Sequence, residues 1–513
     1  MRSSRPGVGA PAVPSGSGAS ETFRITLMIV MAVTVIRIAW LAGKPFDLYP
    51  DEAQYWIWAQ HPAWGYYSKP PMVAWMIWLT TTLFGEGDVQ ARLGSPVTYL
   101  VTSMVVYAIG SRLFSGRVGG WSAIAFATLP AVSISSAIIS TDVPLLLFWA
   151  LALYGFVRVR EDGLSTRQTV FWWSFVGVAA GLGLLSKYAM GFWLLSGLIF
   201  LLGIKDERRH IKGFLAATVL ALAIYAPNLA WNIAHGMASY KHTGANANLH
   251  GFAIHPTEFL TFLGSQFGVF GPIFLAALAY IVWRWRTVAT DRRMLMLIGF
   301  SLPTLAIMLV ESALSRAEPN WSAPTYVSAT ILVVAWLELR GRDLLVQGSV
   351  VLHLTLAVVA FGGPQALKAW GHPLPAKFDP LSRLRGWQIL GQAASTLRLQ
   401  AAALPLLGDD RETMCGLIYY MTPHPFDMKI WNPGHTVNNG FEMTQSLPDK
   451  PGGSYLWLTA RPLDAQADVT SRFASHVQVG HITVPIAKGK SRQLTGIILK
   501  DFKGYGEPTP SKR

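Results

Sequence analysis

The chain has one cysteine, Cys415, in 513 residues. That excludes an intramolecular disulfide framework and any zinc site built on cysteine thiolates. Charge is scarce as well: Asp, Glu, Lys and Arg supply 14% of the residues, where a soluble domain carries about 25%. The chain contains no G-x-x-x-x-G-K-[ST] phosphate loop, no Rossmann glycine fingerprint after a strand, no G-x-S-x-G elbow and no His-Glu-x-x-His helix. Energy from a nucleotide is therefore not expected to enter here. His235, His242, His250 and His255 share one segment without ligand spacing, so no metal site is expected among them.

What the chain has in quantity is apolar surface. Hydrophobic residues make up 51%, with 20 Trp, and the mean hydropathy is +0.35. Most of the chain is therefore solvated by lipid. The net charge of +14 fits the basic loops that orient a polytopic membrane protein, and nucleic acid is not an expected partner. Residues 1–23 form a tail whose first twenty residues, rich in Gly, Ser and Pro, cannot bury enough surface to fold. Runs of about spanning length follow: Ile25–Ala42, Leu93–Leu113, Val118–Ala137, Val143–Val157, Val170–Leu185, Ala189–Ile204, Gly213–Ala234, Gly268–Trp283, Met294–Val310, Ala323–Leu337 and Leu344–Gly362. Arg37, inside the first, needs a polar partner.

The short run Met72–Phe84 decides the topology. If it does not cross, Arg112/Arg117, Arg158/Arg160/Arg167, Lys205/Arg208/Arg209/Lys212, Arg284/Arg286/Arg292/Arg293 and Arg340/Arg342 all share a side with Arg2, Arg5 and Arg24. The positive-inside rule then predicts about 11 transmembrane helices, a cytoplasmic N-terminus and an external C-terminus. The fold class is a polytopic α-helical membrane protein with a C-terminal extramembrane α/β domain. Residues 24–362 form the membrane domain, 43–92 its first external loop and 363–513 the outer domain. In that domain Asp379–Gln400 reads as helix, while Met414–Met421, Tyr455–Ala460, Val477–Pro485 and Gln493–Phe502 read as strands.

Candidate chemistry gathers on the external side. The first loop carries Tyr49-Pro50-Asp51-Glu52 and Gly65-Tyr66-Tyr67-Ser68-Lys69-Pro70-Pro71. A carboxylate there can serve as general base on an acceptor, and a lysine can neutralise a lipid phosphate. The bland reading is that Asp51 and Glu52 cap a helix and that Lys69 snorkels. Asp142 stands at a helix start on the same side, Lys187-Tyr188 fall there too, and Arg316-Ala317-Glu318-Pro319-Asn320-Trp321 makes another external turn in which an acid, an amide and a Trp could hold a sugar.

At these residues the chain resembles the lipid-linked-sugar glycosyltransferases of the GT-C fold, family 39, which includes protein O-mannosyltransferases and bacterial transferases that modify lipid A. The likeness runs through Asp51-Glu52, Lys69-Pro70-Pro71, Thr141-Asp142 and Glu318-Pro319-Asn320-Trp321. It implies an inverting enzyme of the bacterial inner membrane with its outer domain in the periplasm. The donor would be a polyprenyl-phosphate sugar and the acceptor lipid A or its core, another envelope glycan or a protein. By the same resemblance Asp51 would be the catalytic acid/base, Lys69 would bind the donor phosphate, Asp142 would be a second site carboxylate, and Glu52 would orient Asp51 or the acceptor. Tyr67, Lys187, Tyr188, Glu318 and Asn320 would line the substrate. Aminoarabinose transferases carry a glutamate before Lys-Pro-Pro where this chain has Ser68, which bears against that sugar and against a metal here; no cofactor is required, and a divalent cation stays open. The rival reading is a polytopic transporter or flippase, whose ionisable residues would sit near mid-membrane.

Overall fold

The computed structural model describes residues 16–247, 253–379 and 381–506. His250 and most of the expected N-terminal tail lie outside the described residues; Gly16–Ser20, expected in that tail, already belongs to the first helix. In chain order the helices begin α1 (Gly16–Ala42), α2 (Pro50–Ala59), α3 (Met72–Phe84), α4 (Asp88–Arg92), α5 (Gly94–Leu113), α6 (Gly116–Thr128), α7 (Pro130–Ser135), α8 (Asp142–Val159), α9 (Thr166–Leu184), α10 (Gly191–Gly203), α11 (Ile211–Ala234) and α12 (Ala238–Ala247). They continue with α13 (Pro256–Phe270), α14 (Pro272–Trp283), α15 (Trp285–Val288), α16 (Arg292–Gly299), α17 (Leu302–Leu314), α18 (Thr325–Glu338) and α19 (Asp343–Ala369).

Six stretches among the described residues are long and apolar enough to cross a membrane: Ser20–Ala42, Asp88–Leu113, Asp142–Val159, Lys205–Ala234, Arg292–Leu314 and Asp343–Ala369. The protein is a multi-pass helical membrane protein. Their outward faces carry Met28, Val35, Val219 and Val358, all exposed, which water would penalise and lipid does not. Two expected single spans are interrupted. The run Val118–Ala137 breaks at Leu129, because Pro130 has no N–H to continue the ladder and restricts the residue before it. Gly268–Trp283 turns by 116° between α13 and α14. Gly271 makes that corner with φ +86, and a Cβ there would lie 2.1 Å from His353 Nε2, so only glycine fits both the conformation and the space. Arg37 finds its partners inside the bundle, donating to Ala127 O at 2.6 Å and Ser133 Oγ at 3.0 Å. The last long helix runs on to Ala369, past the 362/363 boundary read from composition.

Beyond it come α20 (Trp387–Gln400), α21 (Arg411–Tyr420), α22 (Gly440–Thr444) and α23 (Ala467–Thr470), with strands β1 (Leu406–Gly408), β2 (Lys429–Ile430), β3 (Tyr455–Thr459), β4 (Phe473–Ala487) and β5 (Lys490–Phe502). The sheet order is β2-β1-β3-β5-β4, parallel between β1 and its two neighbours and antiparallel from β3 onward. The expected strand at Met414–Met421 is instead helix α21. Asp410 caps it by accepting from Glu412 N at 3.2 Å and Thr413 N at 2.7 Å. Every residue from Thr413 to Tyr420 is buried, so the stretch shows no amphipathic period and reads like a strand.

This C-terminal region and the 43–92 loop share one core, in which Trp56 packs edge-on against Tyr419 at 4.7 Å. Tyr419 and Tyr420 each donate to Asp88 at 2.9 Å, Leu48 N donates to Tyr420 Oη at 2.6 Å, and Trp387 N donates to Asp47 Oδ2 at 2.7 Å. Beneath that core Glu52 and Arg92 form an ion pair with side chains 1% and 2% exposed. Removing one partner strands the other charge without water, which costs about 3–5 kcal/mol. Glu52→Leu or Arg92→Leu should therefore lower the unfolding midpoint of the detergent-purified protein sharply, and the double substitution should recover much of the loss; a double variant as unstable as the two singles combined would contradict this.

Candidate active site

Helix α2 sorts two adjacent carboxylates into different surroundings, because successive side chains on a helix point about 100° apart. Glu52 points inward. Its Oε1 accepts from Arg92 Nε at 2.8 Å and Ile139 N at 2.9 Å, and its Oε2 from Arg92 Nη2 at 2.6 Å and Tyr49 N at 2.9 Å. Both oxygens are filled, so Glu52 anchors the helix start and is not an open base.

Asp51 faces the other way, into a polar cavity of about 270 Å³ whose walls include Tyr67, Ser68, Lys69, His242 and Arg411. Arg411 comes from α21. Its Nη1 donates to Asp51 Oδ1 at 2.8 Å and to Gln54 Oε1 at 2.7 Å, while its Nε and Nη2 have no partner among the described residues. Asn438 and Asn439, also from the C-terminal region, complete that wall. Tyr67 Oη donates to Val437 O at 3.3 Å, and its ring meets that of His242 edge-on at 5.3 Å. The loop carrying Tyr67 and Lys69 is held close to α11: a Cβ on Gly65 would stand 2.6 Å from the Trp231 ring, and Asn228 Nδ2 donates to Trp64 O at 2.6 Å.

A second cavity of about 290 Å³ shares Ser68, Lys69 and Asn246 with the first. Its lining is mostly apolar and includes Tyr188, Phe192, Met308 and Trp321, with Lys187 and Glu311 as its other charged residues. Lys187 donates to Asp142 Oδ1 at 2.7 Å, and Asn320 donates to Asp142 Oδ2 at 2.6 Å. The expected residues Asp142, Lys187 and Asn320 thus form one linked group, with Asp142 and Asn320 lining a small cleft of about 40 Å³ beside it. Tyr188 lines the second cavity with its ring stacked on Tyr240 at 4.9 Å. Glu318 turns to Arg316 at 2.9 Å and lines none of these cavities.

Lys69 occupies the partition between the polar and the apolar space, and its ammonium has no hydrogen-bond or ion-pair partner among the described residues. Burial, and after it the Lys187 ammonium, pull its pKa below the ordinary lysine range. Such a cation is short of an anion, and a phosphate would supply one. Two residues at the site, Arg411 and His242, escaped the sequence reading. His242 was weighed only as a metal ligand, and Arg411 lies 360 residues from its partner Asp51, with no local signal to find it.

Residues 68–231 match the dolichyl-phosphate-mannose-protein mannosyltransferase family. The lipid A galacturonosyltransferase RgtD of Rhizobium johnstonii is 31% identical over 85% of this chain and 91% of its own length. The chain belongs to the GT-C glycosyltransferases. Among this enzyme's other relatives, the undecaprenyl phosphate-alpha-4-amino-4-deoxy-L-arabinose arabinosyl transferase of Pseudomonas aeruginosa is 27% identical over 67% of this chain and 64% of its own. The fold matches the crystal structure of ArnT from Cupriavidus metallidurans bound to undecaprenyl phosphate, with a TM-score of 0.62 at 16% identity, over 94% of this chain and 98% of that one. The transferase is thus a membrane-embedded enzyme, as its motifs implied.

Burial first, then the charges of Lys69 and Arg411, push His242 down to about 4 from the ordinary 6.5. It is therefore neutral throughout pH 5–8 and available as a hydrogen-bonding group. Histidine-labelled NMR titration should find a resonance with that low midpoint, and Lys69→Met should move it back toward 6.5 by removing one repelling cation. A wild-type midpoint at the ordinary value would overturn this picture of the cavity.

Proposed function

We propose that the enzyme transfers a hexuronate from a polyprenyl monophosphate to a lipid A or core acceptor on the periplasmic face. The observation that carries the proposal is the place of Lys69, on the wall shared by an apolar cavity and a polar one. A polyprenyl chain fits the first space, its sugar fits the second, and the phosphate joining them meets Lys69 at the partition. In this reading an acceptor hydroxyl attacks the anomeric carbon, the carbon–oxygen bond to phosphate breaks with its electron pair leaving on the lipid phosphate, and the hydroxyl proton passes to Asp51. One displacement inverts the configuration. Lys69 neutralises the charge that grows on the leaving phosphate, with Lys187 beside it, oriented by Asp142 and Asn320. These cations supply the charge a metal would bring, so activity is expected to survive EDTA.

The sugar class follows from charge. Asp51 stands against Lys69 and Arg411 in the polar cavity while His242 is neutral, which leaves a net positive wall. A uronate carboxylate complements the free edge of Arg411, and guanidinium–carboxylate pairing is geometrically selective. Ser68, neutral at the junction of the two cavities, brings no acid for an amino sugar. The galacturonosyl transfer in the name of the Rhizobium relative agrees. For topology we adopt about 11 crossings with Met72–Phe84 on the external surface, a cytoplasmic N-terminus and a periplasmic C-terminal region, on the strength of the arginine-rich loops.

The test uses purified protein in liposomes with undecaprenyl phosphate carrying a labelled hexuronate, a neutral hexose or a 4-amino pentose. Only the hexuronate should be transferred to lipid A. Asp51→Asn should abolish transfer, and Arg411→Gln should raise KM for the uronate donor by about 30-fold, the worth of a charged hydrogen-bonded pair. Equal use of the neutral hexose would refute the sugar assignment; donor movement across the bilayer without transfer, surviving Asp51→Asn, would point instead to a flippase.

A further inference from the structure

A hollow of the C-terminal region lined by three cations lies outside the chemistry assigned so far. It encloses about 420 Å³ between the start of α2 and the β4–β5 hairpin, and its walls include Tyr49, Trp387, Arg383, Lys490, Arg492 and Glu412. Three cations face one carboxylate, and none of the four takes part in an ion pair among the described residues. Three other guanidiniums of the same region are matched: Arg385 with Asp379, Arg461 with Asp409 and Asp468, Arg411 with Asp51. Three cations around one hollow, offset by a single carboxylate, make a site suited to an anion.

The cations are also held in place. Arg492 lies over the Trp387 ring at 3.7 Å, and it donates from Nε to Arg385 O at 2.8 Å and from Nη2 to Arg383 O at 2.7 Å. Burial pushes its pKa down to about 10, which the Glu412 and Asp47 carboxylates offset only in part. Arg383 is steered by the Tyr49 ring, 5.6 Å away. A planar fork fixed in this way gives up little freedom when it binds phosphate oxygens.

The position of the hollow tells which molecule brings the anion. Tyr49 and Pro50 line it, and the next residue, Asp51, lines the polar cavity; Glu412 and Thr413 line it, and the preceding Arg411 lines the polar cavity. The two spaces therefore stand back to back across two chain segments. The donor phosphate is already accounted for at Lys69. Resting on the assignment of Asp51 as the acceptor base, we infer that this hollow is a subsite for the phosphate of a phosphorylated saccharide headgroup on the acceptor lipid, which anchors the acceptor so that its reacting hydroxyl reaches Asp51.

Equilibrium binding tests this without catalysis. Protein in phosphatidylcholine nanodiscs is titrated with fluorescent lipid A bearing its phosphates and with the same lipid A after dephosphorylation, in the absence of donor. The wild type should bind the phosphorylated form more tightly by about tenfold or more, a typical worth for charge-assisted contacts. The double variant R383Q/K490Q changes two exposed side chains that make no hydrogen bond or ion pair among the described residues. It should lose that preference while binding the dephosphorylated lipid as the wild type does, and R383K should keep part of it. Equal weakening toward both lipids, or no weakening, would overturn the subsite. Displacement of phosphorylated lipid A by phosphatidylglycerol with the same dependence on Arg383 and Lys490 would also overturn it, by showing that the site takes bulk lipid phosphate. Because no sugar is transferred, a failure of the hexuronate reading leaves this result intact, and a failure here leaves the transfer assay intact.

Discussion

The buried pair between Glu52 and Arg92 is the constraint on which the site depends. Two charges withdrawn from water at the root of α2 are tolerated only because donors fill both carboxylate oxygens, including the main-chain N–H groups of Tyr49 and Ile139. Those bonds tie the first loop to α4 and to the segment before α8. With the root fixed, helical geometry leaves Asp51 one direction, into the polar cavity. The neighbouring carboxylates thus divide between holding the helix and facing the polar cavity, although in sequence they look interchangeable.

The second layer of organisation is the shared core between that loop and the C-terminal region. Trp56, Tyr419 and Tyr420 bury large aromatic surface there, and their polar atoms end on Glu86 and Asp88. The consequence for chemistry is electrostatic. Docking α21 onto α2 brings Arg411 to Asp51, so the polar cavity owes its charge to both parts of the chain. The 43–92 loop and the helical bundle supply Lys69, Lys187 and Asp142, and the C-terminal region supplies the guanidinium bonded to Asp51.

Much of this could be read from the sequence where the physics is local. The apolar runs are visible because lipid demands them, and Asp51 and Lys69 could be associated because one loop carries both. The breaks at Pro130 and Gly271 were written in the residues but hidden inside continuous hydrophobicity, since a run apolar on all sides has no period to interrupt. Helix α21 was missed for the same reason, being buried along its whole length. Arg411 and His242 were not legible at all as partners of Asp51, because tertiary packing alone brings them there.

The reach of Arg411 across 360 residues has a consequence for the order of assembly. The membrane helices are synthesised first, and a nascent chain holding all of them would already carry Lys69 and Asp51. Its polar cavity would still lack one wall and half of its positive charge. Only after α21 has been made and docked onto α2 is that wall of the chamber in place. Docking of the later-made α21 thus completes the cavity, and a chain that stops short of it leaves the cavity open on one side.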